Sequence, residues 1–491
     1  MSIAELHDNM HRGELNSEEL VLWYRDRIEM LDRNDPGLRA VMELNPDALL
    51  TARALDEEWQ RSGPRGPMHG IPVLLKANID TADKMHTSAG ALVLADHIPP
   101  RDAFIVSQLR DAGAIILGKA NLSEWANFRS TRSTSGWSTV GGQTVNPYNT
   151  LRNPCGSSSG SAVAVSASLV TVAVGTETNG SIICPSGING IVGVKPTLGL
   201  VSRTGIIPIA HSQDTAGPMA RTVRDAAILL SAMIGIDPED PASSAAKITR
   251  SDFAANLAAD ELTGKRIGIL RSHYGAGSNP DVEALLTNSI GLIAAQQAVV
   301  IDDIHIDMSG VSDAEYTVLL YEFKAGLAAY LERSSAPVQT LTDVIAFNDA
   351  NSEVVMPHFG QEVLLAANAT GGLDDPAYLE ALDASGAATR TALEQVFAEH
   401  DLDALAAISN GPAWMTDLVN GDSFHIGSSS FAAVSGYPSV TVPAGFVSGL
   451  PVGLTFIGQP WSEQQLIGVA YAFEQAGNAR RPPVFDKTSE K

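Results

Sequence analysis

Apolar side chains recur at helical spacing along the first 32 residues. This periodicity predicts two amphipathic helices that pack on a protein core through one face. Asn16 or Ser17 precedes two glutamates and is typical of a helix N-cap. We therefore expect two surface-packed helices, whose apolar positions are Ile3, Leu6, Met10, Leu20, Trp23, Ile28 and Leu31.

After the first 32 residues, the chain contains short apolar runs that are separated by segments with helical periodicity. Residues 70–76 and 114–118 are typical of buried strands, and residues 103–112 between them have helical periodicity. Residues 161–175 predict a further helix and then a strand. The small side chains of Ser161–Ser168 would let other backbones approach closely, so this helix is expected to be central and buried. Strands that alternate with helices indicate an α/β fold.

The amino-acid composition changes in the second half of the chain. Residues 240–290 are polar and rich in alanine, and an α/β pattern restarts at Lys265–Leu270. This stretch is the best candidate for a subdomain boundary. Residues 437–443 and 450–458 are typical of two paired strands joined by a glycine-containing loop, and we expect them to complete the sheet.

Composition and charge restrict the classes of function. Of 491 residues, 44% are hydrophobic, which is enough for a substantial globular core. The formal net charge of −24 repels phosphate backbones and anionic membrane surfaces, so neither nucleic acid nor membrane is an expected partner. Cys155 and Cys184 are the only cysteines, too few for a disulfide framework and not spaced for cysteine-bound zinc.

Targeting signals are absent from the chain as given. It contains no run of about 18 apolar residues, and its first ten residues lack a basic segment followed by an apolar one. We expect a cytoplasmic location, although a removed leader would leave no trace.

The densest cluster of glycine and serine lies at residues 155–161, directly before the predicted buried helix. It contains a literal G-x-S-x-G centred on Ser158, the pattern of the nucleophile elbow in α/β-hydrolases. That motif needs a preceding strand and a later histidine, for which His400 and His425 are the candidates. Pro147 and Pro154 make the preceding residues a poor strand, so this hypothesis is disfavoured.

A second serine-bearing turn, residues 175–182, follows the apolar run 169–174. Successive backbone N–H groups at such a turn can bind an anion or stabilise an oxyanion. Spacing alone fits a purely structural turn equally well.

Three segments of this region, residues 156–162, 175–182 and 190–197, closely resemble the amidase signature family. Similarity extends to residues 66–76, 87–90, 141–143, 146–148 and 214–221, so it covers nearly the whole chain. Within the family, residues 121–128, 154–156, 320–326 and 346–348 are most similar to bacterial peptide amidases.

The resemblance implies a large mixed, twisted β-sheet covered by helices on both faces. It implies one domain over residues 1–491, which we divide into N-terminal helices (1–65), catalytic core (66–235), variable insert and helical subdomain (240–400) and C-terminal strands (401–491).

The resemblance also implies a catalytic triad of Lys76, Ser157 and Ser181, with no cofactor or metal. Ser181 would be the nucleophile, Ser157 a bridging hydroxyl and Lys76 the terminal base, and turnover would pass through an acyl-enzyme. A free lysine, with a pKa of about 10.4, is almost fully protonated at pH 7, so burial must lower the pKa of Lys76. The resemblance further implies a cis Gly156–Ser157 bond and an oxyanion hole formed by the backbone N–H groups of Thr178, Asn179, Gly180 and Ser181.

The expected substrates are C-terminal peptide amides or related primary carboxamides. An acylamidase that cleaves secondary amides such as anilides is the main alternative, and an amidotransferase-type subunit is a third candidate. We expect Ser158, Trp125 and Phe128 to line the pocket, with Trp137 and Trp414 as further candidates, and the protein to be a monomer or homodimer. Cys155 stands where many family members have glycine, and Asn179 stands where glycine or aspartate is more usual.

Overall fold

The computed structural model describes residues 1–244, 246–248 and 251–485. Its strands are β1 (Val41–Leu44), β2 (Pro72–Lys76), β3 (Ile115–Ala120), β4 (Trp137–Ser138), β5 (Gly142–Gln143), β6 (Val172–Glu177), β7 (Val192–Lys195), β8 (Thr215–Ala220), β9 (Arg266–Leu270), β10 (Val299–Ile304), β11 (Ala404–Ile408), β12 (Ser439–Val447) and β13 (Leu450–Ile457).

Helices occupy much of the remaining chain. They are α1 (Ile3–His11), α2 (Ser17–Ile28), α3 (Ala48–Ser62), α4 (Phe104–Asp111), α5 (Ser159–Ser166), α6 (Ile183–Ile188), α7 (Val223–Met233), α8 (Pro241–Ser244), α9 (Pro280–Ala295), α10 (Val311–Ser334), α11 (Leu341–Ala350), α12 (Ser352–Val355), α13 (Glu362–Asn368), α14 (Pro376–Leu382), α15 (Ala388–His400), α16 (Ser430–Ser435) and α17 (Glu463–Gly477).

Eleven strands form one mixed sheet, in the order β1-β3-β2-β6-β8-β7-β12-β13-β11-β9-β10. Strands β3, β2 and β6 run parallel, whereas β8 lies antiparallel to both β6 and β7. Every residue of β2, β3, β6, β7 and β8 is buried. Because side chains alternate between the two faces of a strand, both faces of the sheet are covered here. The predicted α/β class and large mixed sheet are confirmed.

The two N-terminal helices form where the periodicity predicts them. Ser2 caps α1 and Asn16 caps α2, and each is paired with a glutamate three residues later in a capping box. Most of the predicted apolar face is buried, but Trp23 is 48% exposed and lies against Arg27. Periodicity assigns Trp23 to the apolar face, yet about half of its side chain stays at the surface.

Helix α5 is the central buried helix that the small residues predict. All eight of its residues are buried, and it begins two residues after Ser157. A Cβ at Gly160 would lie 2.3 Å from the carbonyl oxygen of Ala40 and 2.5 Å from that of Asn121. Only glycine permits this approach of three backbone segments, which holds the start of α5 in a fixed place.

Residues 240–400 contain strands as well as helices. Strands β9 and β10 lie at one edge of the main sheet, where β9 pairs in parallel with β11. Besides α8 and α9, this segment contains helices α10 to α15, the first of which begins at Val311, and α10 packs Phe323 and Leu327 against Trp125 and Phe128 of the preceding segment. The restart at Lys265–Leu270 is therefore a strand of the common sheet, and the four-part division of the domain stays a prediction.

Among the described residues, no helix has the length and apolar character needed to span a bilayer.

Candidate active site

Lys76 lies at the end of β2, beside β6, and is fully buried. Its Nζ is 2.7 Å from Ser157 Oγ, 2.9 Å from Thr176 Oγ1 and 3.2 Å from the Thr176 carbonyl oxygen. Because β2 and β6 are adjacent and parallel, the strand register brings the lysine and the threonine together.

Ser157 continues the chain of hydrogen bonds towards the surface. Its Oγ is 3.0 Å from Ser181 Oγ, so lysine and two serines form one unbroken series. Lys76 and Ser157 are fully buried, whereas Ser181 retains 8% of its exposure. Only the last hydroxyl of the series is therefore open to a ligand.

Burial lowers the pKa of Lys76 to about 7. Desolvation is the main cause, and the negative charges of Asp214 and Glu177 offset part of it. A substantial fraction of this amine is therefore neutral at pH 7, which an exposed lysine cannot achieve.

The partners of Lys76 suit a neutral amine, which has two N–H groups and one lone pair. The Thr176 carbonyl can only accept a hydrogen bond, and Thr176 Oγ1 already accepts one from Asn78 Nδ2. If the two N–H groups of the neutral amine bond to Thr176, its lone pair faces Ser157 Oγ. In this state Lys76 can accept a proton from the serine.

The turn after β6 carries an unusual set of backbone donors. Within the described residues, the N–H groups of Thr178, Asn179, Gly180 and Ser181 make no hydrogen bond. The next two, those of Ile182 and Ile183, both donate to the Glu177 carboxylate, at 2.6 and 2.9 Å. Glycine at position 180 permits the φ of +77° at which the chain reverses. Four free donors beside Ser181 can bind a negatively charged oxygen.

A cleft of about 420 Å³ opens over this turn. Gly156, Asn179 and Gly180 lie on its floor, within a few residues of both serines. Its walls include apolar or aromatic side chains and two carboxylates, contributed by Tyr316, Leu319, Trp414, Phe424, Glu315 and Asp422. This volume is in the range that accommodates a small organic or short peptide ligand.

Comparison with known proteins decides the family. The Amidase family model matches residues 19–467. The chain belongs to the amidase signature family. It is an amide-hydrolysing enzyme, and its fold and motifs confirm the expected membership.

Named relatives of this amidase fall into several groups. The crystal structure of native peptide amidase from Stenotrophomonas maltophilia is 51% identical, covers 99% of both chains and has a TM-score of 0.94. A probable amidase of Arabidopsis thaliana is 41% identical over 99% of this chain and 91% of its own. The A subunit of glutamyl-tRNA(Gln) amidotransferase from Moorella thermoacetica is 35% identical over 98% of both chains.

The amidase has a larger cavity of about 540 Å³. It reaches Asn78, Thr176 and Thr178. Neither Ser157 nor Ser181 lines either cavity, but the smaller cleft is lined by Gly156 and Gly180, their immediate neighbours in the chain, and by Asn179. The smaller cleft is therefore the better candidate for the substrate site.

The predicted pocket residues lie elsewhere in the amidase. Ser158 is fully buried, where its Oγ bonds to the carbonyl oxygen and the N–H of Thr176. Trp125 and Phe128 pack against Phe323, with ring centroids 6.2 and 5.0 Å away. None of the three predicted residues lines the cleft, whereas Trp414 does. Aromatic side chains in a sequence do not reveal which side of a packed layer they occupy.

The hydrolase-elbow hypothesis finds no support in the amidase. The Ser158 Oγ bonds to the backbone of Thr176 in β6 and to no histidine in the described part of the chain, and His425 Nε2 bonds to Ser423 at an exposed position. His400 ends α15, and no hydrogen bond links its ring to a serine in the described part of the chain.

Cys155 and Cys184 form a disulfide bond beside the cleft. Two cysteines are too few for a framework, but this one bond joins the segment that carries Ser157 to α6, which follows Ser181. The cysteine at position 155 thus has a structural partner that sequence spacing does not reveal. Disulfides persist mainly in oxidising compartments, so the bond gives no support to a cytoplasmic location, which stays a prediction.

Replacing both cysteines with serine is expected to lower the free energy of unfolding by about 3–4 kcal/mol, the loop-entropy contribution of a bond of this span. The bond closes a loop with a sequence separation of 29. Urea unfolding monitored by tryptophan fluorescence would measure the shift. Wild-type protein treated with reductant should match the variant, and an unchanged midpoint in both would contradict the prediction.

Proposed function

We propose that this amidase hydrolyses C-terminal peptide amides and related primary carboxamides through an acyl-enzyme on Ser181. The observation that carries the proposal is the unbroken series Lys76–Ser157–Ser181, which ends at four free backbone donors under an open cleft. The 51% identity to peptide amidase structures supports the substrate class. One of those proteins was crystallised with the competitive inhibitor chymostatin.

In the first step, Ser181 Oγ attacks the amide carbonyl carbon. Its proton moves to Ser157 Oγ as the Ser157 proton moves to neutral Lys76, so one proton is transferred over two short hydrogen bonds. A serine hydroxyl is a weak nucleophile, and this transfer during attack makes it reactive. The result is a tetrahedral intermediate with a negatively charged oxygen and a lysine ammonium.

The unbonded N–H groups at positions 178–181 lie next to Ser181 in the chain and would stabilise this developing charge. In other enzymes, one well-placed oxyanion donor contributes about 100- to 1,000-fold in rate, because a fixed dipole needs no reorganisation as charge develops. Glu177 stabilises the shape of the turn by accepting the two N–H groups that follow.

The proton then returns to the leaving group. Lys76 donates through Ser157 to the amide nitrogen, the carbon–nitrogen bond breaks and ammonia leaves, so the lysine is neutral again. Water attacks the ester on Ser181 and gives its proton to the same relay. That proton is delivered to Ser181 Oγ when the acid is released, which regenerates the starting state.

The rate is expected to rise with pH through an inflection near 7. Protonated Lys76 cannot accept a proton, and its pKa is about 7, so kcat/KM should increase about tenfold per pH unit below that value and level off above it. A pH profile on an uncharged amide substrate would measure this. A rate that still climbs steeply between pH 9 and 10, with no earlier inflection, would mean that the base is not a desolvated lysine.

The substrate class is tested by offering the purified chain three compounds with one acyl group: a dipeptide amide, the matching anilide and the matching ester. Released ammonia, aniline or alcohol is measured directly. The proposal predicts ammonia release from the dipeptide amide by the chain alone, unchanged by EDTA. Cleavage of the anilide but not the amide would indicate an acylamidase. Ammonia release that requires an added partner would indicate a component of an amidotransferase.

A further inference from the structure

Glu315 is a carboxylate from the helical segment that lines the cleft and contacts Asn179. It lies in the first turns of α10, lines the cleft and is only 6% exposed. Among the described residues it has no cationic partner, and its hydrogen bonds come from two amide side chains. A buried carboxylate without a cation is costly, so its presence here calls for a physical reason.

Both hydrogen bonds lead from Glu315 to the turn that carries the free donors. Its Oε1 accepts from Asn179 Nδ2 and from Gln213 Nε2, each at 2.8 Å. The Asn179 amide makes two further hydrogen bonds. Its Oδ1 accepts from Ser429 Oγ at 2.7 Å, and its Nδ2 donates to Ser430 Oγ at 3.1 Å. The side chain next to Gly180 is therefore fixed on two sides.

Gln213 connects Glu315 to the peptide group between Thr178 and Asn179. Its Nε2 has two hydrogens, and it donates to the Thr178 carbonyl oxygen at 3.2 Å as well as to Glu315. A peptide group is planar, with its C=O and N–H pointing in opposite directions. The contact that fixes the Thr178 carbonyl therefore also fixes the direction of the Asn179 N–H.

We propose that Glu315 is a positioning residue for the reaction: through Asn179 and Gln213, it orients the Thr178–Asn179 peptide so that the Asn179 N–H points at the developing oxyanion. This inference rests on the proposed function of Ser181 and its neighbouring N–H groups. Glu315 lies in α10, outside the signature motifs, and would act on a hydrogen bond made in the transition state.

The residue type at position 179 agrees with this role. Asn179 presents its NH₂ group to the carboxylate and its oxygen to a hydroxyl, so both ends of the amide have suitable partners. Aspartate, one of the two residues that are more usual here in the resembling family, would place a second negative charge against Glu315. Two carboxylates at that distance repel strongly, so position 179 and position 315 are matched in charge.

The test compares Glu315→Ala, Glu315→Gln, Asn179→Asp and the double variant Asn179→Asp/Glu315→Gln on whichever panel compound the wild type hydrolyses fastest. Glu315→Ala should lower kcat by about 10- to 100-fold with KM changed less than about threefold, because one oxyanion donor is misaligned. Glu315→Gln keeps an accepting oxygen and should stay within about fivefold of the wild type. Asn179→Asp should lose about 100-fold, and the double variant should recover at least tenfold, since the new glutamine NH₂ can donate to the aspartate.

The matched control is Glu463→Gln, a carboxylate that is 1% exposed and accepts the backbone N–H of Thr197 in another part of the fold. It should leave kcat within about twofold. Glu315→Gln and Asn179→Asp preserve side-chain volume. If Glu315→Ala does not fold, the comparison of Asn179→Asp with the double variant therefore still tests the inference. A wild-type kcat in Glu315→Ala, a change in KM alone, or a double variant no better than Asn179→Asp would overturn the inference.

A second readout separates this inference from the proposed substrate class. The rate at which a fluorophosphonate labels Ser181 depends on the same oxyanion donors and on no particular amide. If the wild type prefers the anilide or ester, the substrate proposal fails, but Glu315→Ala should still slow labelling at least tenfold. Equal labelling rates in both proteins would overturn the role of Glu315, and labelling of another residue would overturn both proposals.

Discussion

Replacing Ser181 with alanine should lower kcat on any amide substrate by about 10⁶-fold, the scale of loss when a serine hydrolase loses its nucleophile. Ser181 is the one hydroxyl of the hydrogen-bonded series that remains partly exposed, and the free N–H groups lie beside it. Without its Oγ, no acyl-enzyme forms. The residual rate would come only from binding and from the oxyanion donors acting on water.

One further measurement and one control variant should accompany the kinetics of Ser181→Ala. Mass spectrometry after treatment with a fluorophosphonate should find one adduct on the wild type and none on the variant. Ser186→Ala is the matched control, because Ser186 is fully buried in α6 and its hydroxyl has no hydrogen-bond partner among the described residues. The control should keep wild-type activity. A Ser181→Ala protein that retains about 1% activity, or that still takes up the probe, would place the nucleophile elsewhere.

Replacing Lys76 with methionine should lower kcat/KM by about 10⁴-fold, the upper range for loss of a general base. Methionine occupies a similar space but can neither accept nor donate the proton. The inflection near pH 7 should disappear along with the rate, because it reports the lysine itself. The variant should unfold at no lower a urea concentration than the wild type, since a desolvated amine is held at an energetic cost that methionine does not have.

Lys195→Met provides the comparison for Lys76→Met. Lys195 is also fully buried, burial lowers its pKa to about 8, and its Nζ bonds to the Tyr437 carbonyl oxygen rather than to a serine. This variant should retain the pH inflection near 7. If the two variants lose activity equally, or if Lys76→Met keeps the inflection, Lys76 is not the base.

Local periodicity is sufficient for many elements of the fold. The strands at Pro72–Lys76 and Ile115–Ala120, the buried helix at Ser159–Ser166 and the hairpin of β12 and β13 all form where apolar runs and small residues predict them. These elements are specified by side chains close in sequence. Residues 240–400 are harder to predict, because whether a strand such as β9 joins the main sheet depends on β11, more than 130 residues later.

The candidate site also combines residues that local sequence identifies with residues that only distant contacts identify. Lys76, Ser157 and Ser181 can be named from their motifs, whereas Glu315 carries no local signal that distinguishes it from other glutamates on helices. The sequence predicts Ser158, Trp125 and Phe128 in the pocket, but they lie in the packed interior. Their residue types suit a pocket wall and a core equally well, and only the packing of α10 against Trp125 and Phe128 places them.

By itself, the sequence determined the α/β class, the positions of several strands and helices, the family and the three residues proposed for the chemistry, because each depends on a short contiguous pattern. The tertiary structure alone decided that Lys76 is desolvated and adjacent to two hydroxyls, and that four backbone donors have no partner. It also decided that the two cysteines form a disulfide bond and that a carboxylate from α10 contacts the turn. These features arise where segments distant in sequence exclude water from one another, and desolvation and contact across such distances are not encoded at any single position.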